Sequence, residues 1–346
     1  MNLSSQDLLL EAPIRGLFLA AAGMLICLAA RSAPHRFRHG VALFFLGGLA
    51  LLPLAIASGL RWELPVLGSI AFSTVESVES PGAASFAGIS LIVWCLGVSF
   101  FGTRLLLAIR AVNRLQAAAT PVSDRAIIEE LQTQFGIRRA VALAWSQELT
   151  RPIVCGWRRP MILLPESARE WPEQRLRWVI AHELAHVRRG DLWIQSIGQF
   201  LCALHWFNPF AWGLTRVMNR EREIAADEWA VAVTGNDRAA YAHDLLCLVK
   251  EIRDRDREQV FVKHRSMVTA AMIGATSPKL ETRIRGLMSG RRAQTQPGMV
   301  LAIAVMGSAA VALFALCCVI EPGPDYGSSN DSETQLRLSA DPFPAD

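Results

Sequence analysis

Residues 173–207 run EQRLRWVIAHELAHVRRGDLWIQSIGQFLCALHWF, and the two halves of this stretch carry different information. The first half has helical periodicity behind Pro172, which suits a first helical turn, and contains HELAH at 182–186. The second half, continued to Leu214, is apolar enough to enter a membrane. Asn208 and Pro209 then stop one helix, cap the next and start it.

On a helix His182 and His186 project from one face, so both imidazoles can share a metal, and Glu183 beside them can reach a metal-bound water. Catalytic zinc takes three protein ligands and leaves one position to water, so one ligand remains to be found. The strongest candidate is Glu223 in REREIAADEWA (220–230). Asp227 lies four residues on, on the same helical face, where it can hold the outer nitrogen of a ligating histidine. Glu221 is the rival, pointing about 200° away around the helix and lacking a carboxylate at the same offset. Otherwise Glu221, Arg222 and Glu228 read as a solvated helix face.

His186 precedes Asn208 by 22 residues and Glu223 follows it by 15. In a straight hairpin those levels would differ by about 10 Å, so the HELAH helix is expected to break or bend near Gly190 and Asp191, or at Gly198. Asp191 itself reads equally as a cap or as a group supporting the site. Tyr241, His243, His205 and nearby arginines are open choices for a donor to a developing oxyanion, with packing the simpler reading of the first three.

The chain has 346 residues, 52% of them hydrophobic, and the excess lies in four apolar runs at about 14–31, 41–60, 86–109 and 298–320. Each is close to the length that crosses a bilayer. Asp7 and Glu11 stand where a signal peptide would be basic, so the first run reads as a retained helix. Arg31, Arg36 and Arg38 follow it, Arg110 and Arg114 follow the third run, and Arg283, Arg285, Arg291 and Arg292 precede the fourth. The loop 61–85 and the tail 321–346 are dominated by acids. By the positive-inside rule the N-terminus and tail are expected outside and segment 110–297 in the cytoplasm. That segment has 28 basic and 20 acidic residues, as cytoplasmic segments of membrane proteins do, and holds no nucleic-acid motif, so direct nucleic-acid binding is not expected. A single crossing by 191–214 would invert everything after it. A hairpin in or along the inner leaflet, with Trp193, Trp206 and Trp212 at the interface, keeps both ends on one side.

The seven cysteines show no CxxC spacing, which argues against a disulfide scaffold. Between the third run and the HELAH helix, Pro121 breaks a helix and Asp124 caps the next turn. Short runs of valine, leucine and isoleucine at 140–145, 152–155 and 160–164, separated by Pro152, Gly156 and Pro160, predict a small strand-and-turn unit. The expected fold class is an α-helical membrane protein with about four transmembrane helices. Its N-terminal membrane domain occupies 1–109, a mostly α domain with this α+β unit fills 110–297 between the third and fourth spans, the fourth span is 298–320, and 321–346 is a short disordered tail.

HELAH, then HWFNPFAW at 205–212 and REREIAAD at 220–227, with three apolar runs before and one after, resembles the M56 family of membrane metallopeptidases. That family includes the BlaR and MecR signal transducers, and the likeness covers roughly residues 10–320. It implies a gluzincin-like domain with His182, His186 and Glu223 on Zn2+ and Glu183 as general base. It also implies that the strand unit RPIVCGWRRPMILLP (151–165) offers an edge to which an extended peptide can add. The implied protein is a multi-pass enzyme of a bacterial inner membrane, singly or as a homodimer. It would cleave itself or a cytoplasmic winged-helix repressor after an outside signal. A housekeeping endopeptidase with no dedicated signal and a catalytically inactive scaffold are the alternatives. The transducers carry a penicillin-binding domain after the last span, where 26 residues stand here, so direct β-lactam sensing is not expected.

Overall fold

The structure, a computed structural model, describes residues 5–31, 33–57, 81–235, 237–258 and 280–288. Helices α1 (Ser5–Ala29) and α2 (His35–Ala57) form a hairpin. They approach closely because Gly23 of α1 faces Phe45, whose ring leaves no room for a Cβ there. Helix α3 (Pro81–Ala118) follows. The stretches His35–Leu54 and Gly88–Ala118 are long and apolar enough to cross a membrane, and the apolar part of α1, Pro13–Ala29, is shorter. The fourth apolar run, the acidic tail and most of the loop 61–85 lie outside the described residues.

A four-stranded sheet comes next, in the order β1-β2-β4-β3, with α4 (Ala126–Gln134) between its first two strands. Strand β1 (Thr120–Pro121) is a short antiparallel rung on β2 (Ala142–Ser146), and β2 runs parallel to β4 (Met161–Pro165). Strand β3 (Ile153–Cys155) pairs antiparallel with β4 and forms the other edge. The three expected strands fall within two residues of their predicted starts, because turn residues bound them. The turn after β3 needs Gly156 at φ +83°, where a side chain would run into the Arg159 carbonyl. β1 carries no strand pattern of its own.

Helices α5 (Glu173–Arg189), α6 (Asp191–Leu204), α7 (Pro209–Val233), α8 (Arg238–Glu258) and α9 (Leu280–Met288) complete the described chain. The long helical pattern of 173–207 does break at Gly190, whose φ of +72° ends α5 in the left-handed region and starts α6 in a new direction. Asn208 caps α7 as expected, accepting from the backbone N–H of Phe210 and Ala211.

Two large apolar cores result among the described residues, beside a small cluster of Leu115, Ala144, Cys155 and Leu163. One gathers Ile128 of α4, Ile162 and Leu164 of β4, Ile180 and Leu184 of α5, and residues of α7, α8 and α9. The other joins Leu19 of α1 and Phe45 and Leu49 of α2 to Leu201 of α6 and Leu214 and Met218 of α7. Helix α7 passes through both, its first half in the second core and Ala226 to Val231 in the first. Truncating a fully buried Leu such as Leu184 to Ala would cost about 2–5 kcal/mol. The residues between the two cores are those with chemistry.

Candidate metal centre

His182 and His186 leave α5 one turn apart, and Glu223 meets them from α7. The two Nε2 atoms are 3.3 Å apart, and the Glu223 carboxylate lies 3.5 Å from His182 Nε2 and 3.6 Å from His186 Nε2. One donor atom from each of the three lies within 4.8 Å of the others. The outer nitrogens face carboxylates. Asp227 Oδ1 is 3.0 Å from His182 Nδ1, and Asp191 Oδ2 is 2.7 Å from His186 Nδ1. A carboxylate at Nδ1 fixes the tautomer that frees Nε2 for a metal. Two oriented imidazoles and one carboxylate are a donor set that fits a divalent first-row metal.

Asp227 is fully buried and held on several sides. Arg283 of α9 donates from Nε to Oδ2 at 2.8 Å and from Nη2 to Oδ1 at 2.5 Å, and Tyr241 of α8 donates to Oδ1 at 2.8 Å. Burial alone would push the Asp227 carboxyl up, but the Arg283 charge and its hydrogen bonds, with His182, hold it well below the usual carboxylate range. Glu223 is held down against burial by His186, His182 and Arg222. For His182 burial opposes the charge, yet its bonds to Asp227 and Glu223 raise the pKa to about 9. Burial and the Asp227 charge push the Tyr241 phenol well above its ordinary value, so it keeps its proton as a donor.

Glu183 is buried in the wall of a cleft of about 450 Å³ that also exposes His182, His186 and Glu223. The edge strand contributes Ile153 and Val154, while Leu245, Leu248 and Ile252 of α8 make an apolar wall. Asn219, one turn before Glu223 on α7, lines the cleft at 5% exposure, and its Oδ1 has no hydrogen-bond partner among the described residues.

The structure therefore brings His182, Glu183, His186, Glu223 and Asp227 together. It also resolves Asp191, whose sequence reading was open, as the carboxylate on His186. Arg283 was not anticipated as a site residue; its only signal was a place among basic residues that read as topology. Tyr241 supports Asp227 from behind the histidines. His205 is buried at the end of α6 with Nδ1 3.2 Å from the Leu201 carbonyl, and His243 has Cys247 as its side-chain neighbour. Neither belongs to the centre.

One expectation is corrected. Glu221, Arg222 and Glu228 are not a solvated face. Glu221 is 1% exposed, with Arg38 at 2.6 Å and Arg220 at 2.8 Å. Arg222 donates to Gln195 at 2.7 Å and to Glu223 at 3.1 Å, and Glu228 lies 3.6 Å from His35. The reason is that α2 packs along α7 at Glu221 and Glu228, and α6 at Arg222, which spacing within α7 cannot reveal.

A family model described as BlaR1 peptidase M56 matches residues 67–274. The regulatory protein BlaR1 of Bacillus licheniformis is 28% identical over 179 residues, covering 50% of this chain and 28% of that protein. The methicillin resistance mecR1 protein of Staphylococcus aureus strain Mu50 is 23% identical over 141 residues, 40% of this chain and 24% of its own length. A Staphylococcus aureus regulatory protein BlaR1 is 20% identical over 166 residues, 47% and 28% of the two chains. The matched part of the chain thus spans about a quarter of the length of these relatives.

Proposed function

The chain belongs to the M56 peptidase family, and from that premise we propose that it is a membrane-bound zinc endopeptidase whose metal is held by His182, His186 and Glu223. The observation that carries this reading is the orientation of the imidazoles. Each Nδ1 faces a buried carboxylate, and each Nε2 is turned toward Glu223. Zinc bound there supplies Lewis acidity, acidifying water and polarising a peptide carbonyl.

The remaining chemistry falls to the chain's own residues. Glu183 takes the proton of the attacking water and delivers it to the leaving amine. Asp227 and Asp191 keep both imidazoles in the ligating tautomer, and Arg283 and Tyr241 keep Asp227 ionised and in place. An extended peptide adding to the free edge of β3 would lie along the cleft that contains Glu183, and Asn219, whose Oδ1 is an unpartnered acceptor among the described residues, lines the same cleft.

We read the enzyme as regulatory, with its peptidase part on the cytoplasmic side of a bacterial inner membrane, cutting itself or a winged-helix repressor after an outside signal. Support comes from the arginines that flank the apolar runs and from the relatives' descriptions as regulatory and resistance proteins. Comparing the proteomes of cells carrying the wild type and Glu183→Gln tests it. Fragments of a repressor or of the chain itself should appear only with the wild type, and identical proteomes would overturn the endopeptidase reading.

A further inference from the structure

The exposed apolar surface has a pattern that the proposed chemistry does not use. Helix α3 exposes Ile89, Ile92, Leu96 and Phe100, and α6 exposes Trp193, Ile197 and Phe200 at 46%, 56% and 59%. The α6 residues recur at i, i+4 and i+7, so they form one stripe, while Leu192 and Gln195 line the cleft. At the top of the stripe Trp193 meets Trp157 of the β3–β4 turn, ring centroids 5.0 Å apart, next to the exposed Arg158 and Arg159.

Contacts fix the level of the α6–α7 turn. Trp206 lies over Gly97, where a Cβ would come within 2.1 Å of its ring, Trp94 Nε1 donates to the Leu204 carbonyl at 3.2 Å, and Asn208 donates to the Gly16 carbonyl at 3.0 Å. The turn is therefore level with Gly97 of α3 and Gly16 of α1. Thirteen residues separate Gly97 from Arg110, Gly16 from Ala29, and Asn208 from Glu221, and α6 itself has 14. At 1.5 Å per residue all four distances are about 20 Å. Contacts join the far ends of α6 and α7 to the α1–α2 turn, where Arg38 binds Glu221 at 2.6 Å and Arg222 donates to Gln195 at 2.7 Å, and Arg110 ends the third apolar run at the same distance from Gly97.

The carbonyls of the turn are satisfied by protein, while the buried Trp206 Nε1 has no partner among the described residues. Three consecutive carbonyls, of Leu204, His205 and Trp206, accept from Trp94 Nε1, the Asn208 N–H and Trp212 Nε1. Irregular backbone survives in hydrocarbon only when satisfied in this way by protein. Arg216 is exposed on α7 five residues, about 8 Å, from the Glu221 level, within reach of the boundary for a snorkelling arginine.

We propose that α6 and the first half of α7 form a re-entrant hairpin immersed in the bilayer to a depth of about 20 Å, two-thirds of a core of about 30 Å. The stripe of Trp193, Ile197 and Phe200 faces lipid, and the Trp157–Trp193 pair sits at the headgroup boundary with Arg158 and Arg159 toward anionic lipid, whereas Trp206 and Trp212, expected at that boundary, pack at the deep turn instead. The metal centre, at the upper end of α6, then lies at the membrane surface, and the edge of β3 opens along it. The substrate class that follows is an extended peptide segment lying against the membrane. The inference rests on the reading of α2 and α3 as membrane spans.

The test uses the full chain in nanodiscs of phosphatidylethanolamine and phosphatidylglycerol. A benzophenone amino acid is placed in turn at Leu96 of α3, at Ile197, at Phe200 and at the exposed Glu129 of α4. Each protein is checked for zinc content before irradiation, and lipid adducts are read by mass spectrometry. Ile197 and Phe200 should give acyl-chain adducts at yields comparable to Leu96, with none at Glu129. Adducts at Leu96 with Ile197 and Phe200 as bare as Glu129 would overturn the hairpin while leaving the spans intact, as would equal yields at all four positions. A bare Leu96 would overturn the spanning reading of α3, and the hairpin with it.

Discussion

Asp191 Oδ2 lies 2.7 Å from His186 Nδ1 because Gly190 turns the chain between them. The left-handed glycine ends α5 and sets the first residue of α6 back against the last histidine of HELAH. Removal of such a carboxylate typically weakens metal binding about 10–100-fold. Asp191→Ala should therefore lower zinc affinity by that factor in competition with a fluorescent chelator. An unchanged affinity would mean that the contact does not support the metal.

Arg283 is the buried counter-charge of Asp227. Removing one partner of a buried pair typically costs about 3–5 kcal/mol, because the other charge is left unpaired. Arg283→Met should lower the thermal unfolding temperature markedly, and Arg283→Lys should recover only part of the loss, since an ammonium cannot reproduce the two-bond fork. Equal stability of wild type and Arg283→Met would contradict the assignment.

His182, raised to about 9, carries a proton at neutral pH in protein stripped of metal by chelation. That proton must leave for the metal to bind. Zinc affinity should thus rise with pH by about tenfold per unit from neutrality toward pH 9, and level off above it. Titrations of stripped protein across this range check the slope, and a flat profile would contradict it.

Gly97 leaves room for the Trp206 ring. Gly97→Leu should force the ring away and destabilise the α3–α6 contact by about 1–3 kcal/mol. Pairing it with Trp206→Ala should restore part of the loss, a coupling that thermal unfolding of the two single variants and the double variant would measure.

What was legible in the sequence was whatever spacing along one helix decides. His182 and His186 share the face that four-residue spacing gives, with Glu183 beside them, Glu223 and Asp227 do so on α7, and the mismatch of hairpin arms required a break that falls at Gly190. What was not legible depends on which element packs where. Glu221 is identical in local pattern to a solvated carboxylate until α2 brings Arg38 to it. Arg283 lies 56 residues from Asp227, joined by the docking of α9, which no periodicity announces. Asp191 could be either cap or ligand support until the direction of the chain after Gly190 was known.

The central claim is that His182, His186 and Glu223 bind zinc on which Glu183 acts as base. Its most direct test is parallel measurement of bound zinc and peptide cleavage in purified wild type, Glu183→Gln and His186→Ala. The account predicts stoichiometric zinc in wild type and Glu183→Gln, cleavage in wild type alone, and loss of both in His186→Ala. Full zinc occupancy in His186→Ala, or cleavage by Glu183→Gln at the wild-type rate, would contradict it.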